Sequence, residues 1–124
     1  MARILVYEPR QIHEPWESLL AGADRNILVC GDPECFVSAL SEHRPDVLIY
    51  LLSDLDKDLE LLWALRRVAS TLPIIMLDGP ADLEARRSIQ QLNPTYYGVP
   101  PFEETEISDV VRGALSRLAR HPAT

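Results

Sequence analysis

The chain has 124 residues, of which 47% are hydrophobic and 25% are charged, a composition that fits one globular domain and excludes disordered or collagen-like chains. Twelve basic against nineteen acidic residues give a net charge of −7, which disfavours nucleic acid as a partner because phosphate contacts need clustered positive charge. The longest apolar run, 47–52, is too short to span a bilayer, and no signal-peptide pattern is seen. We therefore expect a cytoplasmic protein without membrane partners.

Five short apolar runs, rich in β-branched residues, alternate along the chain with segments of helical periodicity. This alternation is typical of a parallel sheet covered by helices. The runs are apolar throughout rather than alternately apolar and polar, so we expect strands that are buried on both faces. The predicted strands cover residues 3–7, 26–30, 46–51, 73–77 and 95–99.

The first and last predicted helices each carry one apolar stripe, which indicates that each packs on the sheet by a single face. Gly22 is placed to end the first helix, and Thr105 is the predicted cap of the last one. The stripe of the first helix consists of Ile12, Trp16, Leu19 and Leu20. The stripe of the last helix consists of Ile107, Val110, Val111, Ala114, Leu115 and Leu118.

The second predicted helix has a well-specified start. Asp32 is a typical N-cap residue, and Pro33 suits the first helical position. The residues predicted to be buried in this helix are Phe36, Ala39, Leu40 and His43. Cys30 and Cys35 lie on either side of the helix start, and with no histidine nearby they lack the ligands for zinc. In a cytoplasmic protein we expect both thiols to be reduced.

The third predicted helix, about 55–71, is apolar over more than half of its circumference. One sheet face cannot hide so wide an arc. Two interpretations remain open: neighbouring helices and loops cover the excess, or the excess is a dimer or docking surface. The candidate contact residues on this surface are Leu61, Trp63, Leu65 and Val68.

The residues that follow each strand are the candidates for a functional site, because ligands of open α/β sheets bind beyond the carboxyl ends of the strands. Glu8, Asp54 and Asp78 meet there in this prediction. We expect a solvated acidic rim rather than a metal site, since clustered carboxylates alone seldom hold magnesium tightly. Asp56 and Asp58 follow Asp54 at a helix start, where acidic side chains favour the helix dipole.

Four short segments stand in a characteristic order. Residues 3–9 (RILVYEP) form a strand with an acidic end, 44–49 (RPDVLI) lead into the third strand, 72–77 (LPIIML) form the fourth, and 96–102 (YYGVPPF) end the fifth. Together they resemble the receiver domain of bacterial two-component response regulators over nearly the whole chain. The resemblance implies a flavodoxin-like, doubly wound five-stranded parallel sheet in the order 2-1-3-4-5, with helices on both faces. It also implies a receiver-like domain over 1–119, followed by a polar tail or the start of a linker at 120–124.

The chemistry of that family does not carry over onto this sequence. Receivers hold magnesium with two acids after the first strand, where this chain has Glu8 followed by Pro9. Leu51 stands at the phospho-acceptor position and has no nucleophile. Asp78 stands where the family has a hydroxyl, and Pro100 where it has a lysine. The resemblance therefore implies a degenerate crevice, formed by these five residues and Asp54.

The only lysine of the chain, Lys57, lies in the third predicted helix, away from the position that the chemistry needs. A phosphoaspartate requires both the metal and the ammonium group, so ordinary phosphorylation is not expected. We expect no catalytic residue, no cofactor and no bound metal. A flavin site is also not expected, because residues 8–11 form no glycine-rich phosphate loop.

Two functions remain open at this stage. The first is a phosphorylation-independent interaction module that binds a protein partner or a second copy, and a fused output domain in a longer native chain is compatible with it. The second is a small-ligand or metal sensor that uses the altered crevice. For the first, the resemblance implies a contact face with Tyr97 at the position of the family's switch aromatic. Arg86 and Arg87 lie on this face, as a solvated pair that could meet an acidic partner, and we expect Arg66 and Arg67 to be solvated as well.

Overall fold

The computed structural model describes residues 2–9, 16, 20, 25–80, 82–98 and 104–120. Its centre is a five-stranded parallel sheet in the order β2-β1-β3-β4-β5, which confirms the predicted topology. The strands are β1 (Ala2–Tyr7), β2 (Arg25–Cys30), β3 (Val47–Leu51), β4 (Ile74–Leu77) and β5 (Tyr96–Tyr97).

The first four strands end within one residue of the prediction, whereas β5 is shorter than predicted. Its hydrogen bonding to β4 nevertheless extends beyond the two strand residues. The amide of Thr95 donates to the carbonyl of Ile74 at 2.8 Å, and the amide of Gly98 donates to that of Met76 at 2.8 Å. The edge strand β5 is therefore short, but the residues directly before and after it are also hydrogen-bonded to β4.

Four helices connect or follow these strands: α1 (Pro33–His43), α2 (Leu55–Val68), α3 (Leu83–Gln90) and α4 (Glu104–Arg120). The predicted start of α1 is confirmed, since the Asp32 side chain accepts a hydrogen bond from the amide of Cys35 at 2.8 Å. The predicted burial of His43 is wrong. His43 is the last residue of the helix, before Arg44 turns left-handed at φ 46°, and its side chain points into solvent.

The other helix ends also correct the sequence prediction. Helix α4 begins at Glu104, so Thr105 lies inside the first turn and is not the cap. Helix α2 ends at Val68, because Ala69 leaves the helical conformation at φ −138° and ψ 67°. The first predicted helix lies mostly outside the described residues, although Trp16 and Leu20 are buried. No helix in the described ranges is long and apolar enough to cross a membrane.

The core has two halves, one on each face of the sheet. The first half packs α1, α2 and α3 against side chains such as Leu48 and Ile74. The second half packs Trp16, Leu20 and α4 against the opposite face, on side chains such as Ile49 and Ile75. Neighbouring residues of β3 and β4 thus point to opposite halves, which is why these strands are apolar throughout. The prediction of helices on both faces is confirmed.

The two cysteines form a disulfide, so the prediction that both are reduced is wrong. Cys30 ends β2, and Cys35 lies in the first turn of α1. The cap at Asp32 turns the chain sharply between them and brings the two Cα atoms to 5.6 Å, within the range that a disulfide spans. The expectation rested on the compartment, whereas the local geometry favours the bond.

Candidate functional site

The carboxyl edge of the sheet brings together the ends of β1, β3 and β4, as predicted. Tyr7 and Tyr50 are paired across β1 and β3, and Leu51 is paired with Leu77 across β3 and β4. Glu8 directly follows β1 and Asp78 directly follows β4, so both lie at this edge beside Leu51. Pro9 and Asp54, two further members of the predicted crevice, are among the described residues. Pro100, the last member, lies outside the described residues.

Glu8 is buried, with an exposed fraction of 3%, and its carboxylate accepts a hydrogen bond from the indole nitrogen of Trp16. Trp16 is equally buried. The prediction of a solvated acidic rim is therefore wrong for Glu8, because the indole covers the carboxylate that a cation would need. A divalent ion would have to displace Trp16 from the core before it could reach this oxygen.

Leu51, the residue predicted to stand at the phospho-acceptor position, is buried in the second half of the core. Its side chain offers no polar atom to the crevice. Asp78 is half-buried and left-handed at φ 59°, a conformation that aspartate tolerates better than most residues. Asp54 is exposed at the start of α2. Among the described residues, no group of three or more metal-binding side chains comes together.

On the other face of the sheet, three aromatic rings fill the space at the same edge. The ring centroids of Tyr7 and Tyr50 are 4.9 Å apart, and Phe36 lies 5.0 Å from Tyr7 and 5.8 Å from Tyr50. Burial raises the pKa of the Tyr7 phenol, and the nearby carboxylates of Asp58 and Asp32 raise it further. This end of the sheet is therefore closed by packed rings.

Asp58 is a site residue that the sequence prediction missed, because it was expected only to favour the helix dipole. It is 3% exposed, and its carboxylate accepts hydrogen bonds from the Tyr50 hydroxyl at 2.7 Å and from the amides of Ser53 at 2.8 Å and Asp54 at 3.0 Å. Burial raises the pKa of Tyr50, and the bond to Asp58 raises it further. Asp58 thus ties the end of β3 to the start of α2.

Tyr97 lies against the loop that follows β4. Its hydroxyl donates to the carbonyl of Pro80 at 2.6 Å, and the Arg86 guanidinium lies 5.6 Å from the ring centroid. A Cβ atom at Gly79 would overlap the Tyr97 ring, so a side chain at residue 79 would require the ring to move. Burial raises the pKa of Tyr97, while the positive charge of Arg86 acts in the opposite direction. Arg87 is exposed on the same helix, as predicted.

Helices α1 and α2 border an open apolar groove of about 770 Å³. Leu61 and Leu65 line it on one side and Val37 and Leu40 on the other. Leu65 is only 3% exposed, so the prediction that it is a free contact residue is wrong: its position on the inward stripe places it in the core. Val68 is 85% exposed, so the excess apolar arc of α2 is only partly covered within the chain.

Arg66 also differs from the prediction, which made it part of a solvated pair with Arg67. Its guanidinium donates to five backbone carbonyls at the end of α2 and after α3, those of Ala69, Ser70, Leu72, Leu92 and Asn93. Burial lowers the pKa of Arg66. Arg66 therefore holds two loops together, whereas Arg67 is exposed.

The strand order, the helices on both faces and the position of the crevice define a flavodoxin-like α/β fold. Its solved counterparts are response regulator receiver domains, so the predicted resemblance is confirmed for the fold. No protein family's sequence profile matches the chain, and no curated protein matches it significantly.

Three solved structures illustrate this likeness. The signal receiver domain of an HD domain-containing protein from Pseudomonas fluorescens has a TM-score of 0.81 at 20% identity, over 97% of this chain and 98% of that one. A CheY-like response regulator receiver domain protein from Methanospirillum hungatei has a TM-score of 0.79 at 14% identity, over 97% of this chain and 98% of that one. A response regulator receiver domain protein from Clostridium thermocellum has a TM-score of 0.77 at 20% identity, over 96% of this chain and 98% of that one.

Proposed function

We propose that this chain is a regulatory protein-interaction domain with the receiver fold that acts without aspartyl phosphorylation. The observation that carries the proposal is the closed crevice. The strand end that would present a phospho-acceptor presents buried Leu51, and the neighbouring acid, Glu8, is covered by Trp16. Phosphoryl transfer needs a nucleophile and a bound cation at one point. Leu51 supplies no nucleophile, and the Glu8 carboxylate that would help to hold the cation is bonded to Trp16.

Two surfaces support binding rather than catalysis. The first is the face of α3 and β5, where Arg87 is exposed beside the Arg86–Tyr97 contact and suits an acidic partner. The second is the outer side of α2, where Trp63 is 41% exposed next to the apolar groove. Under this proposal the partners are another protein or a second copy, and not nucleic acid. The same proposal includes a receiver-like domain over 1–119, followed by a tail or linker to which an output domain could be fused. It also includes a non-enzymatic role and a cytoplasmic location.

Phosphorylation is tested by incubating the chain with acetyl phosphate and Mg²⁺ and measuring the intact mass, with a phosphorylatable receiver as the positive control. We expect no phosphoryl mass on this chain, and no rise of its melting temperature with beryllofluoride and Mg²⁺. A phosphorylated chain would overturn the proposal.

A second arm tests whether the crevice is closed around the missing acceptor. Leu51→Asp supplies the carboxylate alone, and Leu51→Asn is its matched uncharged control. Because Glu8 remains covered, we expect neither variant to be phosphorylated. Phosphorylation of Leu51→Asp would show that the crevice binds Mg²⁺ and would contradict the closure.

The alternative, a small-ligand or metal sensor in the same crevice, receives less support from the geometry. Its metal form would use Glu8, Asp54 and Asp78, and Glu8 is already bonded to Trp16. The melting temperature measured against divalent ions and nucleotides tests it, since a ligand that binds the folded state raises the midpoint. We expect no rise.

A further inference from the structure

The outer face of α2 carries four exposed residues whose order is self-complementary. Glu60, Trp63, Ala64 and Arg67 are all exposed. Their spacing of three, four and seven residues places them on one face of the helix, opposite the buried Leu62 and Leu65. The acid and the base stand at the two ends of this face, and a large and a small apolar residue stand at its centre. We call these four residues the α2 face.

We propose that the chain associates with a second copy of itself through antiparallel pairing of the two α2 faces. In this arrangement Glu60 of each copy lies level with Arg67 of the other, and Trp63 of each copy lies level with Ala64 of the other. Both charge pairs are then attractive, and the small alanine leaves room for the indole. The inference rests on the proposed interaction function and names its homotypic contact.

The charge order disfavours the parallel arrangement of the same two faces. In a parallel pair, Glu60 would face Glu60 and Arg67 would face Arg67, and like charges at such spacing are repulsive. The charges beyond the face do not oppose antiparallel pairing either, since Lys57 comes level with the uncharged Ser70 of the second copy. A second copy is therefore the occupant to which this pattern is matched.

The exposed apolar residues support the same surface. Val37, Trp63 and Val68 are exposed large apolar side chains of α1 and α2, and Val37 and Val68 border the groove beside the α2 face. Helix α2 has 14 residues and is about 21 Å long, so one helix pair buries less than a standard interface. We therefore expect a weak, concentration-dependent dimer.

Sedimentation velocity of the full chain from about 1 µM to about 1 mM, which covers weak complexes, tests the association. Glu60→Arg and Arg67→Glu each turn both attractive pairs into repulsive ones, so each should raise the dissociation constant about tenfold. An equimolar mixture of these two variants should dimerise again, because their α2 faces are mutually complementary. Lys57→Glu is the matched control: it changes the net charge as much as Arg67→Glu does but should leave association unchanged.

Several results would overturn the pairing. These are a monomer at every concentration, a dimer that both reversals leave intact, or a mixture that stays monomeric. A dimer lost only in Val68→Glu would place the contact in the groove instead. A monomeric chain would leave the phosphorylation-independent function standing, because that function is judged by the phosphoryl mass and not by association.

Discussion

Removal of the Asp58 carboxylate is expected to destabilise the fold more than removal of any exposed acid of the same helix. Asp58→Ala takes away the acceptor of three hydrogen bonds, from Tyr50, Ser53 and Asp54. The Tyr50 hydroxyl is buried, so water cannot replace its partner. Ser53 and Asp54 are exposed, so water can solvate their amides once the carboxylate is gone.

The size of the loss follows from this difference in burial. A buried donor left without a partner costs about 1–3 kcal/mol. Loss of the two bonds to the amides of Ser53 and Asp54, which water can replace, costs about 1 kcal/mol. We therefore expect Asp58→Ala to lower the free energy of unfolding by about 2–4 kcal/mol, and the melting temperature by about 10 °C for a domain of this size. Asp58→Asn keeps one oxygen as an acceptor and should lose about half as much.

Urea denaturation followed by far-UV circular dichroism measures these changes, with Asp56→Ala as the matched control. Asp56 lies two residues before Asp58 and is exposed, so Asp56→Ala should change the free energy of unfolding by no more than about 0.5 kcal/mol. A double-mutant cycle with Tyr50→Phe isolates the buried bond and should give a coupling of about 1–2 kcal/mol. If Asp58→Ala costs no more than Asp56→Ala, or if the coupling is absent, the carboxylate does not hold β3 to α2.

Three further predictions concern Tyr50, Gly79 and Arg66. Burial raises the pKa of Tyr50 in the folded chain above 10.0, its ordinary value in the unfolded chain, so stability is intact below pH 10 and falls above it by about 1.4 kcal/mol per pH unit. Urea midpoints from pH 8 to 11 should therefore fall less in Tyr50→Phe, and equal slopes would contradict this. Gly79→Ala should displace the Tyr97 ring and cost about 1–3 kcal/mol, whereas in a Tyr97→Ala background the same change should cost little. Arg66→Met should cost about 2–4 kcal/mol, because it removes the guanidinium that donates to five carbonyls, while Arg67→Met should be nearly neutral. Equal losses would refute the role of the guanidinium.

The sheet could be predicted from the sequence because each strand is buried on both faces and so stands out as an apolar run. The start of α1 could be predicted because the preference for Asp32 and Pro33 there is local. The burial of Asp58 was also within reach: it precedes Leu62 by four residues and Leu65 by seven, which places it on the inward stripe of α2. The sequence prediction treated Asp58 only as one of three acids that favour the helix dipole and did not take its position on the inward stripe into account.

The contacts that close the crevice could not be predicted in the same way, because they join residues whose distance depends on the whole fold. Nothing in the sequence around Trp16 indicates that its indole donates to Glu8. In the same way, nothing in the sequence around Arg66 indicates that its guanidinium donates to a carbonyl after α3. The disulfide depends on a local turn, yet the prediction for Cys30 and Cys35 followed the compartment instead. Residue preferences therefore determine the helices and strands, whereas side-chain partners in different elements depend on the folded arrangement of the whole chain.

The closed crevice and the open surfaces are two consequences of the same arrangement of apolar residues. Leu51 and Trp16 pack in the core at the carboxyl edge of the sheet, and the Trp16 indole covers the Glu8 carboxylate there. Trp63 and Val68 place apolar surface on the outside of α2, and association with another molecule would remove this surface from water. Under the proposed function, this distribution favours association through the α2 face, so mutations of the exposed α2 face should weaken association while leaving the fold intact.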